Sequence, residues 1–136
     1  MIVKYKGKRP LRGSREAAGY DLYADEDVTI RGFELVKVRT GLSVEMPPGT
    51  FGKVYGRSGL AVKQSLVSFA GVVDSDYRSE IHVVLFNAGF QTQRINRGDR
   101  IAQLVFHRHE VADWVEVDEL SPTDRGSGGF GSTGVR

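Results

Sequence analysis

The chain has 136 residues, of which 40% are hydrophobic and 26% charged, with a formal net charge of +2 and no cysteine. This length and composition predict one folded domain with a core of its own, and they exclude a disordered chain, disulfide bonds and thiolate chemistry. The small net charge gives no reason to expect direct contact with nucleic acid, and no apolar run approaches the roughly 18 residues of a membrane span. Without an apolar leader, the sequence predicts a soluble cytoplasmic protein, or one of the host-cell cytoplasm or nucleus if it is viral.

Short strands are predicted throughout the first half of the chain. Leu42, Val44 and Met46 alternate with polar residues, which is the pattern of a strand with one buried face. Turn residues separate such runs, most clearly at the Pro-Pro-Gly sequence 47–49. The predicted strands are Ile2 to Tyr5, Tyr20 to Ala24, Val28 to Ile30, Phe33 to Val38, Leu42 to Met46 and Phe51 to Tyr55.

The second half holds one short helix and the remaining strands. Gly56 to Gln64 is the only segment that predicts a helix. The predicted strands are Leu66 to Val73, Ile81 to Phe86, Ile101 to Phe106 and Trp114 to Val117. Strands that recur every eight to twelve residues or so are typical of an all-β sandwich or barrel. We therefore expect a single β-domain over residues 1–120 and a flexible, glycine-rich arm over residues 121–136.

An acidic cluster lies between the two central apolar runs. Asp74 and Asp76 are two positions apart, and Tyr77 and Arg78 follow directly. A carboxylate at the end of a strand, kept ionised by a neighbouring arginine, can orient and deprotonate a water molecule. The same residues are also common in turns with only a structural role, because aspartate bonds its own backbone. On this segment alone, both interpretations stay open.

Two further segments are candidates for phosphate binding. The run from Arg57 to Gly59 opens the predicted helix, where free amides, a hydroxyl and a guanidinium favour an anion. A simple helix cap with a surface arginine has the same composition. Gln103 is the only strongly polar side chain in its apolar run, so it needs a partner, either in the core or on a ligand.

The last segment, Arg125 to Arg136, has five glycines together with arginine, serine, threonine and Phe130. Glycine amides can form an anion-binding concavity, to which hydroxyls and guanidinium groups add donors. The segment therefore predicts an arm that closes over phosphates, although frayed termini are also common.

Histidines and exposed aromatic residues complete the candidates. His107 and His109 form a His-x-His pair that could bind a transition metal, but no third ligand of matching spacing is apparent. His82 is expected on a strand, as a packing or surface residue. Tyr77 and Phe130 stand in polar, glycine-rich surroundings that suit stacking on a sugar or a base, whereas aromatic residues elsewhere more often fill the core.

Five segments of the chain, taken in order and spacing, resemble the motifs of a known family. They are Ala18 to Ala24, Gly56 to Ala61, Gly71 to Arg78, Arg97 to Leu104 and Arg125 to Gly134. The family is that of the trimeric dUTPases, the deoxyuridine 5'-triphosphate nucleotidohydrolases, and the resemblance covers nearly the whole chain.

The resemblance implies a distorted jelly-roll fold and a homotrimer with active sites at the subunit interfaces. It implies Mg²⁺-dependent hydrolysis of dUTP to dUMP and pyrophosphate, which limits uracil in DNA and supplies dUMP for dTMP synthesis. Asp74 would activate the attacking water, and Asp21 would hold Mg²⁺ through a water. The implied phosphate contacts are Arg57, Ser58 and Gly59, with Gln103 at the α-phosphate and Arg125, Ser132 and Thr133 at the γ-phosphate. Tyr77 would pack under the deoxyribose, and Phe130 would cover the uracil, with Gly131 in the same arm. A hairpin from Gly71 to His82 would read the uracil edge.

Two alternatives remain. A dCTP deaminase-like enzyme of the same superfamily would share the Arg57 segment but would not need the Phe130 arm, so the arm and Asp74 argue against it. A jelly-roll module that binds nucleotides or a partner without catalysis would not need Asp74. One departure from the family pattern is Ser79, where glycine is usual, and serine would be strained there if the backbone had a positive φ.

Overall fold

The computed structural model describes all 136 residues, and it contains twelve β-strands and one α-helix. The strands are β1 (Lys4–Lys6), β2 (Leu11–Arg12), β3 (Tyr20–Tyr23), β4 (Val28–Ile30), β5 (Leu35–Arg39), β6 (Ser43–Glu45), β7 (Thr50–Tyr55), β8 (Leu66–Phe69), β9 (Val72–Asp74), β10 (His82–Asn87), β11 (Gln93–Ile95) and β12 (Arg100–Arg108). The helix α1 spans Ser58–Gln64, within the predicted segment, and no helix is long and apolar enough to cross a membrane.

The strands form four antiparallel sheets. The largest has the order β2-β3-β12-β7-β9, the next has the order β5-β10-β8, and two-stranded sheets join β1 to β6 and β11 to β4. Only β2 and β3 are neighbours both along the chain and within a sheet, so the other connections cross from one sheet to another. The prediction of an all-β fold with one short helix is confirmed.

Alternation along the strands places one side of each larger sheet in a common core. In β10, Val83 and Leu85 point inward and are almost fully buried, whereas Val84 and Phe86 point outward and keep some exposure. Each fully buried aliphatic side chain contributes about 1.5–3 kcal/mol to folding. The core has 17 residues: Leu22, Ala24, Ile30, Val38, Leu42, Val44, Met46, Val54, Leu66, Val73, Ile81, Val83, Leu85, Ile95, Ile101, Ala102 and Leu104.

A buried asparagine joins β10 to the loops at one end of the core. Asn87 Nδ2 donates to the carbonyls of Ile30 and Gln91 at 3.1 and 2.7 Å, and Asn87 Oδ1 accepts from the Gly89 amide at 3.0 Å. All of these groups are paired, so the hydrogen bonds offset the cost of removing the polar side chain from water.

The apolar run from Leu66 to Val73 is two strands, so its prediction as one strand is wrong. Ala70 and Gly71 have positive φ angles of 57° and 107°, and the chain passes there from β8 in the three-stranded sheet to β9 in the five-stranded sheet. Because β9 pairs with β7 and β10 pairs with β5 and β8, the predicted hairpin from Gly71 to His82 is also wrong.

The chain beyond Arg108 forms no further strand. The predicted strand Trp114 to Val117 is wrong, since this segment pairs with nothing in its own chain and Trp114 is 94% exposed. Its alternating sequence is strand-like, but a strand needs a hydrogen-bonding neighbour to form.

Candidate active site

The outer face of the five-stranded sheet carries several of the predicted site residues. Residues directly opposite each other on antiparallel strands point to the same face, and Gln103 of β12 is opposite both Asp21 of β3 and Tyr55 of β7. Their neighbours Leu22 and Leu104 point into the core. Gln103 and Asp21 therefore face outward, side by side.

Polar contacts connect these two side chains to the start of α1. Gln103 Nε2 donates to the Gly56 carbonyl at 3.3 Å, and the Arg57 guanidinium donates to the Arg100 carbonyl at 3.0 Å. Arg100 Nη1 lies 3.5 Å from Oδ2 of Asp21, whose side chain is 14% exposed. We call these residues (Asp21, Gly56, Arg57, Arg100 and Gln103) the glutamine cluster. The cluster brings together segments of three of the five motif-like stretches.

Gly19 allows the glutamine cluster to form. A Cβ atom at this position would lie 2.4 Å from Gln103 Oε1, closer than two such atoms can approach. Beside the cluster, Ser58 and Gly59 are exposed in the first turn of α1, and Arg57 is its N-cap with extended backbone angles. The predicted phosphate-binding residues at the helix start are thus adjacent to Gln103 and Asp21.

The acidic bend, residues 74–80, begins where β9 ends. Asp74 is exposed and lies opposite Phe51 of β7, and its carbonyl accepts a hydrogen bond from the Tyr77 amide at 3.1 Å. The predicted partnership of Arg78 with the aspartates is wrong. Its guanidinium donates instead to the backbone carbonyls of Ser75 and Tyr77, at 2.6 and 3.4 Å.

The acidic bend and the glutamine cluster are far apart within one chain. Asp74 lies opposite Phe51, whereas Gln103 lies opposite Tyr55 at the other end of β7. The residues from Phe51 to Tyr55 span roughly 13 Å, and the step from β9 across to β3 adds about 14 Å. The two groups of one chain therefore cannot meet at one reacting atom.

Glu80 is the most connected side chain of the acidic bend. Its carboxylate accepts a hydrogen bond from the Gly41 amide at 2.7 Å and lies 3.4 Å from Arg39 Nε. Partial burial raises the pKa of Glu80, but the hydrogen bond from Gly41 and the charge of Arg39 outweigh it and hold the pKa below the ordinary value of 4.5. The Glu80 carbonyl accepts from the Tyr77 hydroxyl at 2.8 Å and lies 3.1 Å from His82 Nδ1.

The backbone at Ser79 is not in the left-handed region, so serine carries none of the strain considered for this position. His82 lies on β10, as predicted, and is half-buried. The bend therefore accommodates this sequence without backbone strain at its serine.

The histidine pair packs against aromatic residues. The His107 ring stacks on Phe51 with centroids 5.0 Å apart, and the Tyr55 hydroxyl lies 3.2 Å from His107 Nε2. His109 is exposed, with its ring 6.1 Å from that of Phe51. No group of three or more histidine, cysteine, aspartate or glutamate side chains is close enough to hold a metal ion.

The glycine-rich segment forms its own turns outside the sheets. Arg125 Nε donates to the Gly128 carbonyl at 2.9 Å, and the Ser132 amide donates to the Gly129 carbonyl at 2.7 Å. Phe130 is fully exposed, and no hydrogen bond joins residues 121–136 to the sheets. Arg125, Phe130, Gly131, Ser132 and Thr133 thus lie in one segment that makes no hydrogen bond to the other predicted site residues.

The sequence matches the family model described as dUTPase over residues 6–134. It is 52% identical over 131 residues to the deoxyuridine 5'-triphosphate nucleotidohydrolase of Candida albicans, covering 95% of this chain and 82% of that protein. The chain belongs to the dUTPase family. Among solved structures, it is similar to the dUTPase of Staphylococcus bacteriophage 80alpha with dUpNHpp, with 27% identity, a TM-score of 0.93, and coverage of 98% of this chain and 99% of that one.

A second solved structure, a mutant dUTPase from phage phi11 of S. aureus, coordinates a structural Mg(II) ion. This phage protein is 24% identical to the chain, with a TM-score of 0.82, and the alignment covers 88% of this chain and 99% of the phage chain. At this identity the likeness shows the fold alone. Both structural likenesses confirm the predicted jelly-roll fold of the dUTPase family.

The residues of this dUTPase-family chain fit a weakly coordinated Mg²⁺ ion. Mg²⁺ keeps most of its waters and binds through one or two carboxylates together with substrate phosphate oxygens. Asp21 offers one mostly buried carboxylate on the same face as Gln103, next to the exposed start of α1. A lone carboxylate of this kind suits an ion held mainly by a triphosphate.

Sequence reasoning missed three residues that shape this site. Gly19 and Arg100 lie within recognised motif-like segments, but only the structure shows that they adjoin Gln103 and Asp21. Glu80 contacts Gly41, far away in the chain, and no local pattern indicates such a contact.

Proposed function

We propose that this chain hydrolyses dUTP to dUMP and pyrophosphate. The observation that carries the proposal is the match of the dUTPase family model to residues 6–134, a range that includes the acidic bend, the glutamine cluster and most of the arm. Cleaving a phosphoanhydride requires an aligned nucleophile and neutralised oxygens rather than a covalent intermediate. The carboxylate, amide, guanidinium and hydroxyl groups of these segments meet that requirement.

In this mechanism Asp74 is the general base. Its exposed carboxylate at the end of β9 accepts a proton from a water molecule as the water oxygen attacks the α-phosphorus. The bond from the α-phosphorus to the bridging oxygen breaks, and that oxygen leaves with pyrophosphate. No side chain forms a bond to phosphorus.

The glutamine cluster and the start of α1 bind the triphosphate in this proposal. Gln103 donates to the α-phosphate, and Arg57 and Ser58 contact phosphate oxygens beside it. This placement follows from the hydrogen bond of Gln103 to Gly56, which directly precedes Arg57 at the start of α1. Asp21 would hold Mg²⁺ through water, and the ion would supply positive charge that neutralises the phosphate oxygens. The backbone from Gly71 to His82 reads the uracil edge, and Tyr77 packs under the deoxyribose.

We also propose a homotrimer in which each site combines two subunits. Within one chain, Asp74 and Gln103 lie on different strands of the same sheet, level with opposite ends of β7. This separation supports a base that acts on phosphates held by a neighbouring subunit. Two subunits that complete each other's sites in a ring give three equivalent sites.

The outer face of the three-stranded sheet supports an oligomer. Leu35 is 59% exposed and lies opposite Phe86, which in turn is opposite Val67. Phe69 is 51% exposed, and its ring meets that of Phe86 edge to face at 5.8 Å. Contiguous apolar faces of this kind mark protein interfaces, because a monomer would leave them in water.

The arm, residues 121–136, is proposed to order over the bound nucleotide, with Arg125 and Thr133 at the γ-phosphate and Phe130 over the uracil. Its separation from the sheets leaves it free to reach a substrate. Deleting residues 125–136 should lower kcat/KM for dUTP by about 10²-fold, because several charge-assisted hydrogen bonds and one stacking contact are lost. Steady-state kinetics would measure this, with sedimentation velocity to check that the subunits still assemble. Unchanged kinetics would show that the arm is idle.

A pyrophosphate-release assay across dUTP, dTTP, dCTP and UTP, with and without Mg²⁺, tests the proposed reaction. We expect dUTP to be turned over with a kcat/KM at least about 10²-fold above the other nucleotides. Cytosine would leave buried groups that match the uracil edge unpaired. UTP would be rejected at its 2'-hydroxyl by Tyr77, and dTTP by the lack of room for its methyl group. Ammonia release from dCTP, measured in the same reactions, would indicate a deaminase instead. Equal turnover of all four nucleotides would contradict the assignment.

A further inference from the structure

Hydrogen bonds join the acidic bend to residues 40–42, a segment distant in sequence, and the proposed reaction does not explain them. The Gly41 amide donates to Glu80 Oε1 at 2.7 Å, and the Ile81 amide donates to the Leu42 carbonyl at 2.7 Å. Buried Thr40 completes the junction, since its hydroxyl donates to the Ile81 carbonyl and accepts from the Leu42 amide. One end of the bend is therefore fixed at both a side chain and the backbone.

This junction also fixes the acceptor of the Tyr77 hydroxyl. The Glu80 carbonyl and the Ile81 amide belong to one planar trans peptide group, so they point in opposite directions. Because the amide side is bound to Leu42, the carbonyl side is directed towards Tyr77, whose hydroxyl donates to it at 2.8 Å. The ring is thus held at its hydroxyl end by this peptide and at its backbone end by the hydrogen bond to Asp74.

We propose that Glu80 is a positioning residue for sugar selectivity. Its carboxylate accepts the hydrogen bond from Gly41 and so fixes the position of the Glu80–Ile81 peptide, whose carbonyl accepts the hydrogen bond from the Tyr77 hydroxyl. The fixed carbonyl in turn sets the distance between the Tyr77 ring and the deoxyribose that packs on it. A ring held at this distance leaves no room for a 2'-hydroxyl on the sugar, whereas a ring that can tilt away leaves room for one. The inference rests on the proposed function, because Tyr77 has a sugar to contact only if the chain binds dUTP.

The hydrogen bond to Gly41, rather than the ion pair with Arg39, carries this role. Arg39 is half exposed, at 52%, and its contact with Glu80 is long, at 3.4 Å. Exposed ion pairs contribute little, whereas an amide deprived of its acceptor in a partly buried junction is costly. Glutamine keeps an acceptor oxygen for Gly41 and loses only the charge, so Glu80→Gln is the conservative variant and Glu80→Ala the disruptive one.

The test is the ratio of kcat/KM for dUTP to kcat/KM for UTP. We expect Glu80→Ala to lower this ratio at least about fivefold and Glu80→Gln to keep it within about twofold of the wild-type value. Tyr77→Phe, which removes only the hydroxyl, should lower the ratio to a similar extent, and adding Glu80→Ala to it should cause no further fall, since both act through one contact. Glu45→Ala on β6 is the matched control: it removes a surface contact with Lys4 of β1 and should leave the ratio unchanged.

The outcomes separate this inference from the proposed function. If the wild-type protein does not hydrolyse dUTP, the proposed function and the inference both fail. If it does, and Glu80→Ala keeps the wild-type ratio or Tyr77→Phe and Glu80→Ala act additively, only the inference is overturned. Should Glu80→Ala fail to fold, Tyr77→Phe and Glu80→Gln still decide, because an unchanged ratio in Tyr77→Phe refutes the role of the hydroxyl contact.

Discussion

Replacing Asp74 by asparagine should lower kcat for dUTP hydrolysis by about 10²- to 10⁴-fold and leave the affinity for dUpNHpp within about threefold of the wild-type value. Asparagine has the shape of aspartate but cannot accept the proton of the attacking water. The Asp74 side chain is exposed and makes no hydrogen bond, so the fold should not depend on its charge. Pyrophosphate release at saturating dUTP measures kcat, and equilibrium titration with dUpNHpp measures binding.

Asp76→Asn is the matched control, because Asp76 lies in the same bend, is also exposed and forms no ion pair. It should retain kcat within about threefold, since a surface charge without a partner contributes little. Equal losses in both variants would point to the net charge of the bend. Wild-type turnover in Asp74→Asn would refute its role as the base.

Mixing two inactive variants should restore activity if each site combines two subunits. One variant carries Asp74→Asn, and the other carries Asp21→Asn together with Gln103→Ala in the glutamine cluster. The two variants are mixed in equal amounts, unfolded and refolded together. The subunit that supplies the bend is then intact in half of the sites, and the subunit that supplies the cluster is independently intact in half of them. About one quarter of the sites are therefore complete, and activity should return to about one quarter of wild type. Each variant refolded alone should stay nearly inactive.

Sedimentation equilibrium of the same samples provides the size. A homotrimer has three times the chain mass of 15.0 kDa. Absence of restored activity in a mixture that has assembled would show that one chain supplies both halves of the site. That result would conflict with the separation of Asp74 and Gln103 along β7.

The sequence predicted those elements whose signals are local. Leu42, Val44 and Met46 are all buried, as their alternation predicted, and α1 begins and ends within Gly56 to Gln64. The outward position of Gln103 also follows from local chemistry, because a lone polar residue in an apolar strand must find a polar partner, here the carbonyl of Gly56.

The errors occur where distant parts of the chain decide the structure. The sequence from Leu66 to Val73 does not predict a change of sheet. The change occurs at Ala70, which has a left-handed backbone conformation that alanine seldom adopts. Trp114 to Val117 has the composition of a strand but no partner in its own chain. Pairing is a property of two segments, so one of them alone cannot reveal it.

The halves of the candidate site were recognised by resemblance, but their arrangement was not predictable from spacing. Asp21 and Gln103 are far apart in sequence and become neighbours only because β3 and β12 pair. Asp74 and Gln103 lie closer in sequence, but β7 stands between their strands and they are level with its opposite ends. The link from Glu80 to Gly41 is likewise visible only in three dimensions.

The chain has a single tryptophan, Trp114, and it lies in the unpaired segment beyond β12. Its indole is almost fully exposed to water, so its fluorescence emission depends on what covers that segment. Unfolding of the sheets should change this emission very little. Far-ultraviolet circular dichroism is the suitable probe for the fold. A blue shift of the emission with rising concentration would then report, without any added dye, that another chain has covered the indole.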